Sequence, residues 1–113
     1  MALVWDTETL TAGYELLRGT KPFKRWKLPP ARELNFRVSQ GDLYAWYVHN
    51  DKELSVSQRK NHRLSSMLQS MAHEMVHLYL ARKGVKHWDK HGAEFNRLAR
   101  SVCKHHGFEE ATF

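Results

Sequence analysis

The residues with the clearest chemical potential are two histidines and a glutamate in an H-E-x-x-H pattern. His73 and His77 are four residues apart, and Glu74 directly follows the first histidine. On a helix this spacing places both imidazoles on one face, about one turn from each other. Two imidazoles so placed can share one zinc ion, and the adjacent glutamate can reach a water bound to that ion. The pattern therefore indicates a catalytic zinc site.

A catalytic site with three protein ligands needs one more donor, and the segment after the helix offers four candidates. We favour His91, because it lies beyond Gly84, where the helix should end, and opens the next helix, whose packing would hold the imidazole. His87 and Asp89 lie in the intervening loop, where either could be a ligand or could orient an imidazole. Glu94 would instead give a site of two imidazoles and one carboxylate.

The residues around the pattern also predict a helix. Apolar residues at i, i+3 and i+4 spacing form one stripe, made of Leu64, Met67, Leu68, Met71, Ala72, Met75 and Tyr79. His73 and His77 lie roughly opposite this stripe, with Leu80 beside them. We therefore expect a helix that begins at an Asn61 N-cap and ends near Gly84, with the core on one side and the imidazoles on the other.

The two motifs resemble those of the SprT-like zinc metalloprotease (SprT/Spartan) family. That family has H-E-x-x-H on one helix and H-G-x-x-F at the start of the next, and this chain contains HEMVHLYL followed by HGAEF. The resemblance extends over roughly residues 34–107 and includes a short strand, Glu53–Ser57, that leads into the helix. It implies a zincin-like fold. Members of the family include proteases that act on DNA-bound proteins.

The resemblance assigns a role to each residue of the motifs. It implies that His73, His77 and His91 hold one zinc ion per chain and that Glu74 is the catalytic acid/base. The implied activity is that of a zinc metalloendopeptidase of the H-E-x-x-H type, which hydrolyses peptide bonds in protein substrates.

The chemistry of such a site follows from its ligands. Three neutral imidazoles leave one zinc position open for a water, whose pKa falls towards about 7. Glu74 would take the proton of that water as general base and pass it to the leaving amine. A donor for the tetrahedral oxyanion is usually required as well. Tyr44, Tyr47, Arg82 and His87 are candidates for this donor, and the sequence does not choose among them.

A nucleic-acid- or protein-binding module with a structural zinc is the alternative interpretation. Structural zinc sites are usually closed by four protein ligands and have no need of a base. Glu74 therefore favours the enzyme. A small metallopeptidase without any connection to DNA is a second alternative. The sequence separates it poorly from a protease that acts on DNA-bound proteins.

Length and cysteine content predict a single metalloprotease domain over residues 1–113. A chain of 113 residues is large enough for one modest core and too short for two. The lone Cys103 excludes an intramolecular disulfide and a four-cysteine zinc ribbon, so we expect no ribbon or second domain. Because we find neither a signal-peptide pattern nor an apolar run of membrane-spanning length, we expect a cytoplasmic protein with no membrane partner.

The charge balance favours acidic partners. The net charge is +6 and the pI is about 9.7, values that fit nucleic-acid binding but also serve solubility. Basic residues are clustered over residues 18–27, where Phe23 and Trp26 lie among them, and over residues 59–63. Such mixtures are typical of proteins that bind single strands, although the same rings could instead pack against the core. Contact with single-stranded DNA or DNA-bound proteins, with a nucleoid-associated location, is therefore a hypothesis.

Hydrophobic periodicity predicts an α+β fold. An N-terminal helix should be capped by Asp6 or Thr7 and run to about Arg18. A three-stranded antiparallel meander should follow, with its aromatic second strand in the centre. The predicted strands are Leu34–Val38, Leu43–His49 and Glu53–Ser57. Two helices that carry the zinc site complete the fold, the last one over about residues 92–106.

Overall fold

A computed structural model describes residues 5–113 and has the α+β class that the periodicity predicts. The helices are α1 (Thr7–Arg18), α2 (Leu64–Arg82) and α3 (Ala93–His106). The strands are β1 (Asn35–Ser39), β2 (Ala45–Val48) and β3 (Glu53–Ser57). Short 3-10 turns occupy Phe23–Arg25, Ala31–Glu33 and Glu110–Thr112. No helix in this described part of the chain is long and apolar enough to cross a membrane.

Helix α1 begins and ends where the sequence predicts. Asp6 is its N-cap, and the Asp6 carboxylate accepts a hydrogen bond from the backbone N–H of Thr9 at 2.7 Å. The buried face of the helix consists of Leu10, Gly13, Tyr14 and Leu17. The hydroxyl of Tyr14 donates to the carbonyl oxygen of Pro29 at 2.6 Å, which attaches the following connection to the helix.

The connection between α1 and β1 is ordered, and its aromatic rings pack inwards. Phe23 is fully buried, and Trp26 is half-buried against Tyr79 with the ring centroids 4.6 Å apart. Of the two alternatives for these rings, the structure therefore supports core packing. The ring of Phe23 is not available for stacking on a nucleic-acid base, although the basic side chains of Lys24 and Arg25 are exposed.

The sheet is mixed, and the prediction of an antiparallel meander is wrong. The strand order is β1-β3-β2, in which β3 pairs parallel with β1 and antiparallel with β2. Strand β3 is therefore the centre of the sheet, and the aromatic β2 is an edge. The turn between β2 and β3 is a hairpin as predicted. Residues 40–44, by contrast, cross the end of β3 instead of forming a tight turn.

The alternation of side chains does not encode this strand order, because parallel and antiparallel strands share the same period of two. The order depends on contacts beyond the strands. The backbone N–H of Gln58 donates to the carbonyl oxygen of Ser39 at 2.8 Å. The hydroxyl of Ser57 donates to the carbonyl oxygen of Gly41, also at 2.8 Å. These bonds hold the crossing segment against the end of β3.

Helix α2 is covered on more sides than its apolar stripe predicts. The stripe residues Met67, Met71, Ala72 and Met75 are buried as expected, whereas Leu64 is 53% exposed. The opposite side is also buried, through Val76, His77, Leu80 and Ala81. The imidazoles therefore lie in a largely covered part of the molecule and not on a solvated helix face.

Asn61 is not the N-cap of α2, contrary to the prediction. The helix begins at Leu64, and Arg63 occupies the N-cap position. The Asn61 side chain is fully buried instead, and its Nδ2 donates to the carbonyl oxygens of Tyr44 and Ser57 at 2.9 and 2.8 Å. Its Oδ1 accepts from the hydroxyl of Ser70 at 2.8 Å. Asn61 thus joins the start of β2, the end of β3 and α2.

Gly13 allows α1 to approach α2 closely, which leads to a prediction about stability. A β-carbon at Gly13 would lie 3.0 Å from Cε of Met67. Gly13→Val should therefore overpack this interface and lower the free energy of unfolding by about 1–3 kcal/mol, even though valine is the better helix former. Urea unfolding measures the change. The control is Ala12→Val at the exposed neighbouring position, whose free energy of unfolding should stay within about 0.5 kcal/mol of that of the parent. Equal losses of unfolding free energy in both variants would contradict the prediction.

Candidate metal centre

Three imidazoles converge on one point between α2 and the start of α3. The Nε2 atom of His91 lies 3.2 Å from Nε2 of His73 and 3.2 Å from Nε2 of His77. The candidate ligand atoms of the three residues all lie within 4.8 Å of one another. His73 and His77 are one turn apart on α2, and His91 directly precedes the Gly92 N-cap of α3. The three side chains could therefore hold one metal ion.

Backbone oxygens fix the orientation of two of these imidazoles. Nδ1 of His73 donates to the backbone oxygen of Phe113 at 2.7 Å, and Nδ1 of His77 donates to the carbonyl oxygen of Trp88 at 2.8 Å. Because a carbonyl oxygen only accepts, each Nδ1 carries the proton and each Nε2 keeps its lone pair. Metal-ligating histidines usually make such a second bond. The donor set therefore fits a zinc ion.

Phe95 packs against all three imidazoles. Its ring is stacked on those of His77 and His91, with centroid distances of 4.5 and 4.4 Å, and its centroid lies 5.0 Å from that of His73. Phe95 is itself buried, on the face of α3 that also carries Leu98. The phenylalanine of the H-G-x-x-F motif therefore supports the three possible metal ligands directly.

Burial keeps the histidines of α2 in the form that binds metals. It is the main cause that lowers the pKa of His73 to about 4, with a further contribution from the neighbouring imidazoles of His77 and His91. The pKa of His77 is also lowered, again chiefly by burial. A histidine must be neutral to coordinate a metal ion. Both residues therefore have their Nε2 lone pairs available at neutral pH.

Glu74 is buried next to the imidazoles. Its Oε2 lies 3.9 Å from Nε2 of His73, and burial raises the pKa of its carboxyl to about 8. A buried carboxyl with a raised pKa beside a cluster of potential ligands is typical of a functional group, because a general acid or base works best with a pKa near the working pH. A cation bound by the three imidazoles would lower this pKa again.

A cleft of about 580 Å³ opens beside the candidate metal centre. His73, Glu74 and His91 line it together with residues 43–45, which lead into β2. Thr112 and Phe113 line it as well. The cleft therefore places a free edge of the sheet next to the possible metal ligands.

The structure brings one of the four candidate oxyanion donors into this cleft. Tyr44 lines the cleft. Tyr47 is buried, and its hydroxyl is hydrogen-bonded to Nδ1 of His49 at 3.0 Å. Arg82 and His87 are exposed and do not line it. Tyr44 is thus the candidate whose position is compatible with the role.

The alternative ligands lie outside the cluster. Among residues 5–113, the His, Cys, Asp and Glu side chains that come close enough to share a metal ion are His73, His77 and His91. His87, Asp89 and Glu94 are all exposed. The role of orienting an imidazole, which the sequence allowed for His87 or Asp89, belongs instead to the backbone oxygens of Trp88 and Phe113.

Trp88 is a supporting residue that the sequence reasoning missed. Its ring packs against those of Tyr47 and His49, with centroid distances of 5.9 and 5.7 Å, so β2 holds the loop whose carbonyl oxygen orients His77. A backbone oxygen has no side-chain signature. A large aromatic residue in the otherwise polar segment KHWDK was the one signal that could have identified it.

Comparison with known proteins identifies the family. The model of the SprT-like family matches residues 3–113. The chain belongs to the SprT-like family. The match extends beyond the segment that carries the two motifs, and it confirms the resemblance found from them. No significant match was found among curated proteins or among solved structures.

The buried carboxyl of Glu74 leads to a prediction about the stability of the metal-free protein. Its ordinary pKa is 4.5 and its pKa in the folded protein is about 8, so between these values unfolding releases a proton and a rise in pH favours unfolding. Glu74→Gln cannot ionise. The difference in unfolding free energy between variant and parent should therefore grow in favour of the variant from about pH 4.5 to about pH 8 and then remain constant.

Urea unfolding in the presence of a chelator, repeated across this pH range, measures the difference. Ionisation of the histidines affects parent and variant alike and cancels. Glu94→Gln at an exposed position is the matched control. Its free energy of unfolding should stay within about 0.5 kcal/mol of that of the parent across the whole pH range. A Glu74→Gln difference that does not change with pH would show that the carboxyl ionises normally in the folded protein.

Proposed function

We propose that this SprT-like protein is a zinc-dependent metalloendopeptidase. The observation that carries the proposal is the position of Glu74, whose buried carboxyl lies 3.9 Å from a potential ligand atom of His73 and faces an open cleft. A structural zinc site is usually closed by four ligands and has no use for such a carboxyl. In the described residues the cluster consists of three histidines. Both features favour catalysis over a structural role.

His73, His77 and His91 would hold the zinc ion through their Nε2 atoms. A zinc ion so held supplies an acidified water and polarises the scissile carbonyl group. Glu74 would accept the proton of the attacking water at its carboxylate and donate it to the departing amine. The bonds from Nδ1 of His73 and His77 to backbone oxygens would keep the ligands oriented throughout.

The free edge of β2 would bind the substrate backbone. The N–H of Ser57 donates to the carbonyl oxygen of Tyr44 at 2.9 Å, so the alternation of an antiparallel pair directs the backbone groups of Ala45 away from β3. Ala45 lines the same cleft as His73 and Glu74. An extended segment of a protein substrate can therefore pair with this edge beside the catalytic carboxyl.

We further propose that the substrates include proteins bound to DNA. The net charge of +6 favours binding to nucleic acid, and Arg63 is exposed directly before α2, whereas the exposed Arg59 is ion-paired with Asp42. Next to them, Nζ of Lys60 lies 5.7 Å from the ring centroid of Tyr44, at the cleft. A positively charged surface thus adjoins the proposed substrate site.

The metal content of histidine variants tests the proposed ligands. We expect one zinc ion per chain in the parent, and a large loss of zinc in His73→Ala, His77→Ala and His91→Ala, because each removes one of three ligands. Metal analysis after exhaustive dialysis measures the content. His87→Ala is the matched control, since this exposed loop histidine lies outside the cluster and should leave zinc unchanged. Full zinc content in His91→Ala would remove His91 from the site.

Glu74→Gln tests the catalytic role. The amide keeps the shape of the side chain but cannot accept a proton, so the variant should bind zinc and fold normally while hydrolysis falls by roughly two to four orders of magnitude. The assay follows cleavage of a DNA-binding protein, with zinc content measured on the same samples.

The zinc content of the variant and the addition of single-stranded DNA to the parent are the two controls in this assay. Cleavage by Glu74→Gln at the parent rate would refute the proposed mechanism, and loss of zinc from the variant would make Glu74 a ligand or a structural residue instead. Running the parent with and without single-stranded DNA tests the substrate class. Stimulation by DNA supports action on DNA-bound proteins, whereas equal rates favour a peptidase that works independently of DNA.

A further inference from the structure

Two exposed apolar side chains lie side by side in the cleft. In the described part of the chain, the large apolar residues with high exposure are Leu16, Leu43, Tyr44 and Leu64. Leu43 is 64% exposed and Tyr44 is 60% exposed, and both line the cleft that contains Glu74. Isolated exposed apolar residues are common, whereas adjacent ones in a concave site indicate a binding surface.

Hydrogen bonds hold the backbone that presents these side chains. The carbonyl oxygen of Tyr44 accepts from the N–H of Ser57 and from Nδ2 of Asn61, each at 2.9 Å. Asn61 is fully buried and is bonded to Ser70 on α2. Because both partners belong to the fixed interior, the exposure of Leu43 and Tyr44 is part of the folded structure.

The other residues of the cleft favour an uncharged occupant. Apart from His73, Glu74 and His91, its lining is apolar or carries hydroxyl and amide groups, and no lysine, arginine or aspartate contributes to the part formed by residues 5–113. Apart from Glu74, which lies beside the imidazoles and is assigned to the reaction, the lining formed by these residues offers a cationic side chain no carboxylate partner, so such a side chain would lose hydration there without compensation. The volume of about 580 Å³ can accept a large side chain together with adjacent backbone.

We propose that this cleft is a subsite for a large apolar or aromatic side chain next to the scissile bond, with Leu43 and Tyr44 as its specificity-determining residues. The inference rests on the proposed peptidase function and adds selectivity to it, because pairing with the edge at Ala45 recognises the substrate backbone only. Burial of an aromatic side chain against Leu43 and Tyr44 should favour it over lysine by about tenfold or more in affinity.

Peptide hydroxamates test this subsite, because they bind zinc directly and need no turnover. Two pairs of probes are used, with phenylalanine or lysine placed on either side of the hydroxamate. Isothermal titration calorimetry with the zinc-loaded protein measures their affinities. We expect the phenylalanine probe to bind at least about tenfold more tightly than its lysine partner in one of the pairs. Equal affinities in both pairs, or tighter binding of lysine, would overturn the proposal.

Variants assign the preference to named residues. Leu43→Ser, alone and combined with Tyr44→Ser, should reduce the preference to about threefold or less. Acetohydroxamate, which has no side chain, should bind Leu43→Ser as tightly as it binds the parent. Leu16→Ser is the matched control, because this leucine is equally exposed but lies on α1, and it should keep the full preference. A preference that survives the double substitution overturns the proposal. So does loss of acetohydroxamate binding in Leu43→Ser, since this residue would then support the candidate metal centre and not a side-chain subsite.

Failure of the apolar subsite can be distinguished from failure of the proposed peptidase function. If cleavage depends on Glu74 but the probes show no preference, the peptidase stands and the apolar subsite is wrong. If the preference is present and depends on Leu43 but no cleavage occurs, the cleft binds apolar peptide segments and the peptidase proposal is wrong.

Discussion

The packing of Phe95 against three imidazoles determines the geometry of the candidate metal centre. His91 does not belong to α2, so its position relative to His73 and His77 depends on how α3 lies against that helix. The ring of Phe95 is in contact with all three side chains, and the apolar face of α3 holds this ring in the core. The short segment between the helices is fixed again at its middle, where Trp88 packs on β2.

The burial of ionisable groups at this point works against stability and favours function. Burial disfavours the charged forms of His73, His77 and Glu74, as the directions of their pKa shifts show. Apolar residues at these positions would fill the same space without this cost. A group of unfavourably buried ionisable residues around one cleft is the pattern expected where chemistry, and not the fold, determines the residue types.

The mixed order of the sheet matters for the proposed substrate binding. In the antiparallel meander expected from the sequence, β2 would be covered on both edges and could not pair with a peptide. Because β3 takes the central position, β2 keeps a free edge, and the bonds of Asn61 hold its first residues beside α2. The same buried side chain therefore joins the sheet to α2 and lines the cleft between them.

The sequence by itself determined the positions of the helices, the existence of three strands and the family, because periodicity, capping residues and the two motifs are local signals. The Asp6 cap and the apolar face of α3 are examples. Strand order, the role of Asn61 and the backbone oxygens that orient His73 and His77 were decided by the tertiary structure. These depend on contacts between distant segments: residues 73 and 113 are 40 positions apart, and a backbone oxygen is the same in every residue type.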